Sequence, residues 1–355
     1  MRKLLTKFAP VAIAMVLIAA GCGDDDTSTT DTTEATGGGG SGAGTKVGLV
    51  FDTTGRGDKS FNDSAAAGLD QAVDEFGVEA KDLTPSAGGE NREELLRLLT
   101  SDGYQLIFAI GFLFGDSVTA VAAENPDTTY AIVDSVVESP NVVSLTFAEE
   151  QGSFLVGAAA ALKSETGKIG FIGGVNTELI HKFEAGFVAG AKEINPDIQI
   201  DIKYLTEPPD FTGFSDPAKG KEAALGMYNG GADVVYHAAG GSGLGLFQAA
   251  KEVSGGGSKV WAIGVDSDQY ESVGDASLQP FILTSMEKKV NVAVFDTVKD
   301  FVAGEAKAGS VAVFDLESGG IDYSTSGGFV DDIKDQLDEL KQKIIDGEIT
   351  VPTKP

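Results

Sequence analysis

Three aspartates stand at the ends of apolar runs: Asp52 after Val47-Gly48-Leu49-Val50-Phe51, Asp134 after Ala131-Ile132-Val133, and Asp266 after Ile263-Gly264-Val265. An ionised carboxylate accepts hydrogen bonds from two hydroxyls at once, so such groups suit a neutral polar ligand carrying vicinal hydroxyls. Lys288 lies just past a further apolar run ending at Ser285. Phe61 and Tyr236 could wall a planar ring, contributing on the order of 1 kcal/mol each beyond simple burial. Between Asp52 and Asp63, glycines permit a tight loop, and Ser60 or Asn62 can cap the helix that follows. Ser60 can equally be only a cap, Phe61 only core, and Asp134 only a turn residue. After Tyr236, the glycines from Gly240 to Gly245 let backbone approach a bound molecule. They lack the full dinucleotide fingerprint, which argues against a nucleotide cofactor.

The same inventory offers little to catalysis. The chain has two histidines, one cysteine and no Gly-x-Ser-x-Gly elbow. His181 reads as a surface residue leading into a helix and His237 as a buried structural one. Two separated histidines make neither a zinc site nor a triad, so no metal and no cofactor are expected. A nucleoside hydrolase or phosphorylase is the enzyme reading to be tested against binding.

At the amino terminus Arg2, Lys3 and Lys7 precede an apolar run over 8–20, too short for a comfortable membrane span and typical of a secretion signal. Ala19-Ala20-Gly21-Cys22 resembles the lipobox of bacterial lipoproteins, which implies lipidation of Cys22 and anchoring to the outer face of the cell membrane. Residues 23–45, rich in Gly, Ser, Thr and Asp, read as a solvated tether. Removal of residues 1–21 leaves 23 Lys+Arg against 54 Asp+Glu, a formal charge of −31 that disfavours nucleic acid as a partner.

The elements that must position these residues alternate. Strands are expected at 46–52, 106–109, 129–133, 142–146, 168–173, 198–205, 234–238 and 259–265, with amphipathic helices at 60–76, 92–101, 115–124, 151–163, 182–194, 217–229 and 245–253. That order predicts parallel α/β sheets, and roughly 310 residues exceed what one core usually organises. Two doubly wound lobes follow, 46–148 with about 268–305 and 149–267 with about 306–355. A strand at 281–285 and a helix at 290–303 are expected to return to the first lobe, giving a multi-strand hinge. A last helix at 331–346 carries Ile333, Leu337, Leu340 and Ile344 toward a lobe surface.

With these residues in view the chain resembles the basic membrane protein family of substrate-binding lipoproteins, whose best-known members are purine nucleoside receptors. The resemblance rests on Gly48-Leu49-Val50-Phe51-Asp52 with Asp58-Lys59-Ser60-Phe61-Asn62, on Glu149-Glu150-Gln151-Gly152-Ser153-Phe154-Leu155, on Phe183-Glu184-Ala185-Gly186-Phe187, on Asp216-Pro217-Ala218-Lys219-Gly220, on Ala239-Gly240-Gly241-Ser242-Gly243 and on Gly264-Val265-Asp266-Ser267-Asp268-Gln269. It implies a type I periplasmic-binding-protein fold closing on a nucleoside, with an ABC permease and ATPase as partners. By position, Phe61 and Tyr236 would stack on the base, Asp266, Asp134 and Lys288 would address the ribose, and Asp52, Ser60 and Asn62 would surround the base edge. Tyr236 departs from the phenylalanine expected there, and Arg56 from a smaller uncharged residue. The competing readings are the same cleft holding a sugar or a signalling molecule, and a sensor or surface protein that feeds no transporter.

Overall fold

A computed structural model describes residues 42–257 and 259–355. The expected secretion signal, the expected lipidation site Cys22 and nearly all of the expected tether lie outside these residues. Gly42 donates its amide to the Phe76 carbonyl at 2.9 Å, so residues 42–45, expected to belong to the tether, are already tied to the folded chain.

The first lobe is built from β1 (Lys46–Val50), α1 (Phe61–Phe76), β2 (Glu79–Leu83), α2 (Arg92–Ser101), β3 (Leu106–Ile110), α3 (Gly115–Glu124), β4 (Thr129–Val133) and β5 (Val142–Phe147). The second contains α4 (Glu149–Lys163), β6 (Lys168–Val175), α5 (Glu178–Ile194), β7 (Gln199–Thr206), α6 (Pro217–Asn229), β8 (Val234–Ala238), α7 (Gly243–Ser254), β9 (Trp261–Asp266), α8 (Gln269–Ser272) and β10 (Ile282–Lys288). The chain then runs through α9 (Val290–Val302), β11 (Val311–Phe314), β12 (Ile321–Tyr323) and α10 (Lys334–Ile345).

The first sheet has the order β11-β5-β4-β3-β1-β2 and is parallel throughout. The second, β12-β10-β9-β8-β6-β7, is parallel except where β12 meets β10. Every residue of β3 and β8 is buried, as expected of strands covered by helices on both faces. Helices α4 and α5 lie backbone to backbone. A Cβ on Gly157, Gly186 or Gly190 would strike the carbonyl oxygen of Phe187, Glu150 or Phe154 on the opposite helix.

The expected strand at 281–285 does not return to the first lobe. It is part of β10, which pairs with β9 and extends the second sheet. Only α9 returns, laying Phe295 against Phe76 of α1 with ring centroids 5.2 Å apart. The tail is divided as well: β11 completes the first sheet on the open edge of β5, β12 goes back to the second, and α10 rests on α4. Strand register thus overrides the simpler division by sequence order. The chain passes between the sheets three times, at 148, at 289 and at 315–320.

Candidate functional site

The loops beyond the carboxyl ends of both sets of strands face one another, where open parallel sheets collect ligands. They enclose a cavity with about 590 Å³ of non-atom space, open mouth included. The first lobe contributes Asp52, Thr53, Thr54, Asp58, Phe61 and Asn62 after β1, Gly111 and Phe112 after β3, and Asp134 after β4. The second contributes Leu179, Ile180 and Phe183 from α5, Phe214 ahead of α6, Ala238, Gly240 and Gly241 at the end of β8, Val265 and Asp266 on β9, and Lys288 on β10.

Of the residues singled out from sequence, Asp52, Phe61, Asn62, Asp134, Gly240, Asp266 and Lys288 meet at this cavity. Tyr236 does not. It sits two residues inside β8, fully buried, with its ring 5.6 Å from Phe171 and 5.2 Å from Phe187 and its hydroxyl 3.2 Å from Ser153. Tyr236 shares a face of β8 with Ala238 but lies two residues deeper along the strand, so it ends in the core beneath the cleft, and only Ala238 and the following glycines reach the cavity from β8. The second lobe's aromatic walls are Phe183 and Phe214, which sequence reasoning missed. Phe183 belongs to the Phe183-Glu184-Ala185-Gly186-Phe187 motif, but nothing in its spacing distinguishes it from core.

Ser60 also has a different task. Its hydroxyl donates to Asp266 Oδ2 at 2.6 Å, across the lobes, and makes no cap. The start of α1 is held by Asp58 instead, whose carboxylate accepts from the amides of Ser60, Asn62 and Asp63 at 2.8–3.0 Å. Asn62 braces the loop: its Oδ1 accepts from the Asp52 amide at 3.0 Å while its Nδ2 donates to Thr54 and Asp58, both at 3.1 Å.

Burial raises the Asp52 carboxyl to about 6 against the pull of Arg92, whose guanidinium lies 3.6 Å away. Burial raises Asp266 to about 6 as well, opposed by Lys288 and by the Ser60 hydroxyl. Asp134 and Lys288 form an ion pair at 2.6 Å. For Lys288, burial opposes the charge most strongly, but Asp134, Glu149 and Asp266 together outweigh it and hold the ammonium above the ordinary lysine range. Its Nζ also lies 5.0–5.7 Å from the rings of Phe61, Phe147 and Phe183. Asp52 and Asp134 each keep one buried oxygen without a hydrogen-bond partner. Such an oxygen demands a donor, which an incoming ligand can supply.

A polar seam closes the lobes beside the cavity. The Lys59 carbonyl, turned outward by φ 57°, accepts from Gln269 Nε2 at 2.9 Å and Ser272 Oγ at 3.2 Å. Ser267 Oγ donates to the Ser60 carbonyl at 3.0 Å. Phe112 meets Phe211 edge-on at 6.2 Å on another side. His237 stands behind this seam, buried and held near pKa 4 by that burial, with Nε2 2.9 Å from Gln269 Oε1. His181 lies within α5, paired with Asn176 and outside the cavity. Among the described residues no cluster of His, Cys, Asp and Glu is placed to hold a metal.

Two doubly wound lobes, three connecting passages and a ligand-sized cavity at the strand ends define a periplasmic binding protein of the type I fold. The chain belongs to the Bmp family, described as ABC transporter substrate-binding protein PnrA-like, which it matches over residues 45–355. It is 38% identical over 330 residues to the ABC transporter nucleoside-binding protein BmpA of Lactococcus lactis, covering 87% of this chain and 89% of that one. It is 35% identical over 314 residues to basic membrane protein A of Borreliella burgdorferi, covering 87% and 88%. Among solved structures, an ABC transporter system solute-binding protein from Aeropyrum pernix superposes with a TM-score of 0.76 at 30% identity, covering 87% of this chain and 93% of that one. The family is one of substrate-binding proteins rather than enzymes.

Proposed function

We propose that this protein is a lipid-anchored extracytoplasmic receptor that binds a purine nucleoside between its lobes and delivers it to an ABC permease and its ATPase. The observation that carries the reading is the composition of the cavity: aromatic faces from both lobes, Phe61 against Phe183 and Phe214, beside Asp52, Asp134, Asp266 and Lys288. A planar base fits among the rings, with Asp52 accepting from a ring N–H, and the ribose hydroxyls fit Asp134, Asp266 and Lys288. A phosphate would add negative charge among these carboxylates, so an uncharged sugar end is preferred. The name of the Lactococcus lactis relative agrees with this ligand class. Lipidation at Cys22 would hold the receptor on the outer face of the membrane through the Gly/Ser/Thr/Asp tether.

Calorimetry of the tetherless chain with inosine, guanosine, adenosine, the free bases, ribose and nucleoside monophosphates tests the reading. One nucleoside per chain, bound without release of base on prolonged incubation, is the expected result. Binding of ribose or another sugar in preference to every nucleoside would overturn it.

A further inference from the structure

Lys288 and Glu149 sit on the same lobe, each beside a passage between lobes. Lys288 is the last residue of β10 and Glu149 the first of α4. Glu149 is fully buried and does not line the cavity. Its Oε1 lies 3.2 Å from Lys288 Nζ without meeting hydrogen-bond geometry, and its Oε2 lies 3.0 Å from Lys182 Nζ of α5. Asp134, the closer partner of Lys288, ends β4 and belongs to the other lobe. When the lobes part, Asp134 leaves with its sheet while Glu149 and Lys182 stay with Lys288. Asp266 on β9 also stays and favours the charge from farther off, but Lys288 makes ion pairs only with Asp134 and Glu149, so without Glu149 the ammonium would keep no carboxylate in direct contact and would tend to lose its proton or swing away.

We propose that Glu149 is a positioning residue that holds the Lys288 ammonium, charged and in place at the cavity wall, while the lobes are apart. The cation then meets an arriving ligand already oriented, and closure adds Asp134 as the second carboxylate. Lys182 fixes the far oxygen of Glu149, so that the near one faces Lys288. The part of the proposal that concerns ligand hydroxyls rests on the nucleoside reading; the part that concerns Lys288 does not.

The test compares wild type, Glu149→Gln and Glu149→Asp as full chains without added ligand, each acetylated briefly with a limiting amine-reactive ester at pH 8. Peptide mass spectrometry reads every lysine separately. In Glu149→Gln the labelling rate at Lys288 is expected to rise about tenfold or more, since each unit lost from a lysine pKa raises its free-amine fraction by that factor. Lysines outside the pair with Lys182 should keep their wild-type rates, and Glu149→Asp should restore most of the protection at Lys288. An unchanged rate at Lys288, or a parallel rise at all lysines, overturns the proposal. In a second measurement Glu149→Gln should weaken inosine but not 2′,3′-dideoxyinosine; equal weakening of both also overturns it. If wild type binds no nucleoside, the ligand reading falls, and the labelling experiment still decides the role of Glu149.

Discussion

Asp52 and Asp134 each present a buried oxygen that makes no hydrogen bond within the protein, that of Asp52 standing 3.6 Å from the Arg92 guanidinium, and Asp266 shares its carboxylate with Ser60 of the opposite lobe. For Asp52 and Asp266 the folded pKa of about 6 lies above the unfolded value of 3.8. The folded state therefore holds the proton more tightly. Each carboxyl lends the empty protein stability that is complete below pH 4 and lost as pH rises toward 6, about 3 kcal/mol per group. Ligand donors favour the ionised form, so affinity should move the other way and strengthen from pH 5 to pH 7. Thermal denaturation with and without nucleoside should show a ligand-induced shift that widens over this range, and Asp52→Asn should flatten the rise. The aromatic residues allow a sharper separation. Tyr236→Phe should leave affinity within about twofold while costing about 1 kcal/mol of stability through the lost Ser153 hydrogen bond. Phe214→Ala should weaken nucleoside binding about tenfold, an effect of about 1.4 kcal/mol. Titration calorimetry on both variants reads the difference, and equal losses would restore Tyr236 to the ligand. The three aspartates were legible because each interrupts an apolar run. Tyr236 misled because its neighbours mark a strand end without revealing how many pleats lie between it and the cleft.

At the scale of elements, legibility followed burial. Strands such as β3 and β4 are apolar throughout because helices cover both faces, and they can be read directly. β2, Glu-Ala-Lys-Asp-Leu, is an edge strand with no buried residue, β11 exposes both of its valines, and β12 has only three residues. β2 and β12 carry no apolar run, β11 has only the four residues Val-Ala-Val-Phe, and the places of β11 and β12 are set by sheet edges distant in sequence. The seam was equally hidden, since it depends on the outward-turned carbonyl of Lys59 meeting Gln269 and Ser272 from the other lobe. Its contribution is to closure. Ser272→Ala removes a cross-lobe donor whose hydroxyl bonds the Lys59 carbonyl and which lies outside the cavity lining, so the closed state should open faster. Stopped-flow kinetics are expected to show a nucleoside off-rate raised about fivefold with the ranking of nucleosides unchanged, as loss of one hydrogen bond of about 1 kcal/mol implies. A changed ranking would mean that the seam shapes the ligand site itself.

At the scale of the molecule, two sheets do not make two independent folding units. One apolar cluster runs from Val47 and Leu69 in the first lobe through Phe154 and Phe187 to Val234 and Leu337 in the second. The sequence made two lobes legible, because its length and alternating pattern require two sheets, but their division was not. Only the pairing of β10 with β9 and β11 with β5 shows that the last segments weave between them. That weaving has a thermodynamic consequence. A lobe that unfolded alone would strip apolar surface from its partner and break three chain passages, so unfolding should be cooperative. The chain has one tryptophan, Trp261, in the second sheet, whereas far-UV circular dichroism reports helices of both. Denaturant transitions followed by the two signals should coincide, and nucleoside at 100 times its Kd should displace both by about 2.7 kcal/mol. A fluorescence transition separated from the dichroism would show that the shared cluster does not bind the lobes into one unit. It would also confine ligand stabilisation to the closed contact between them.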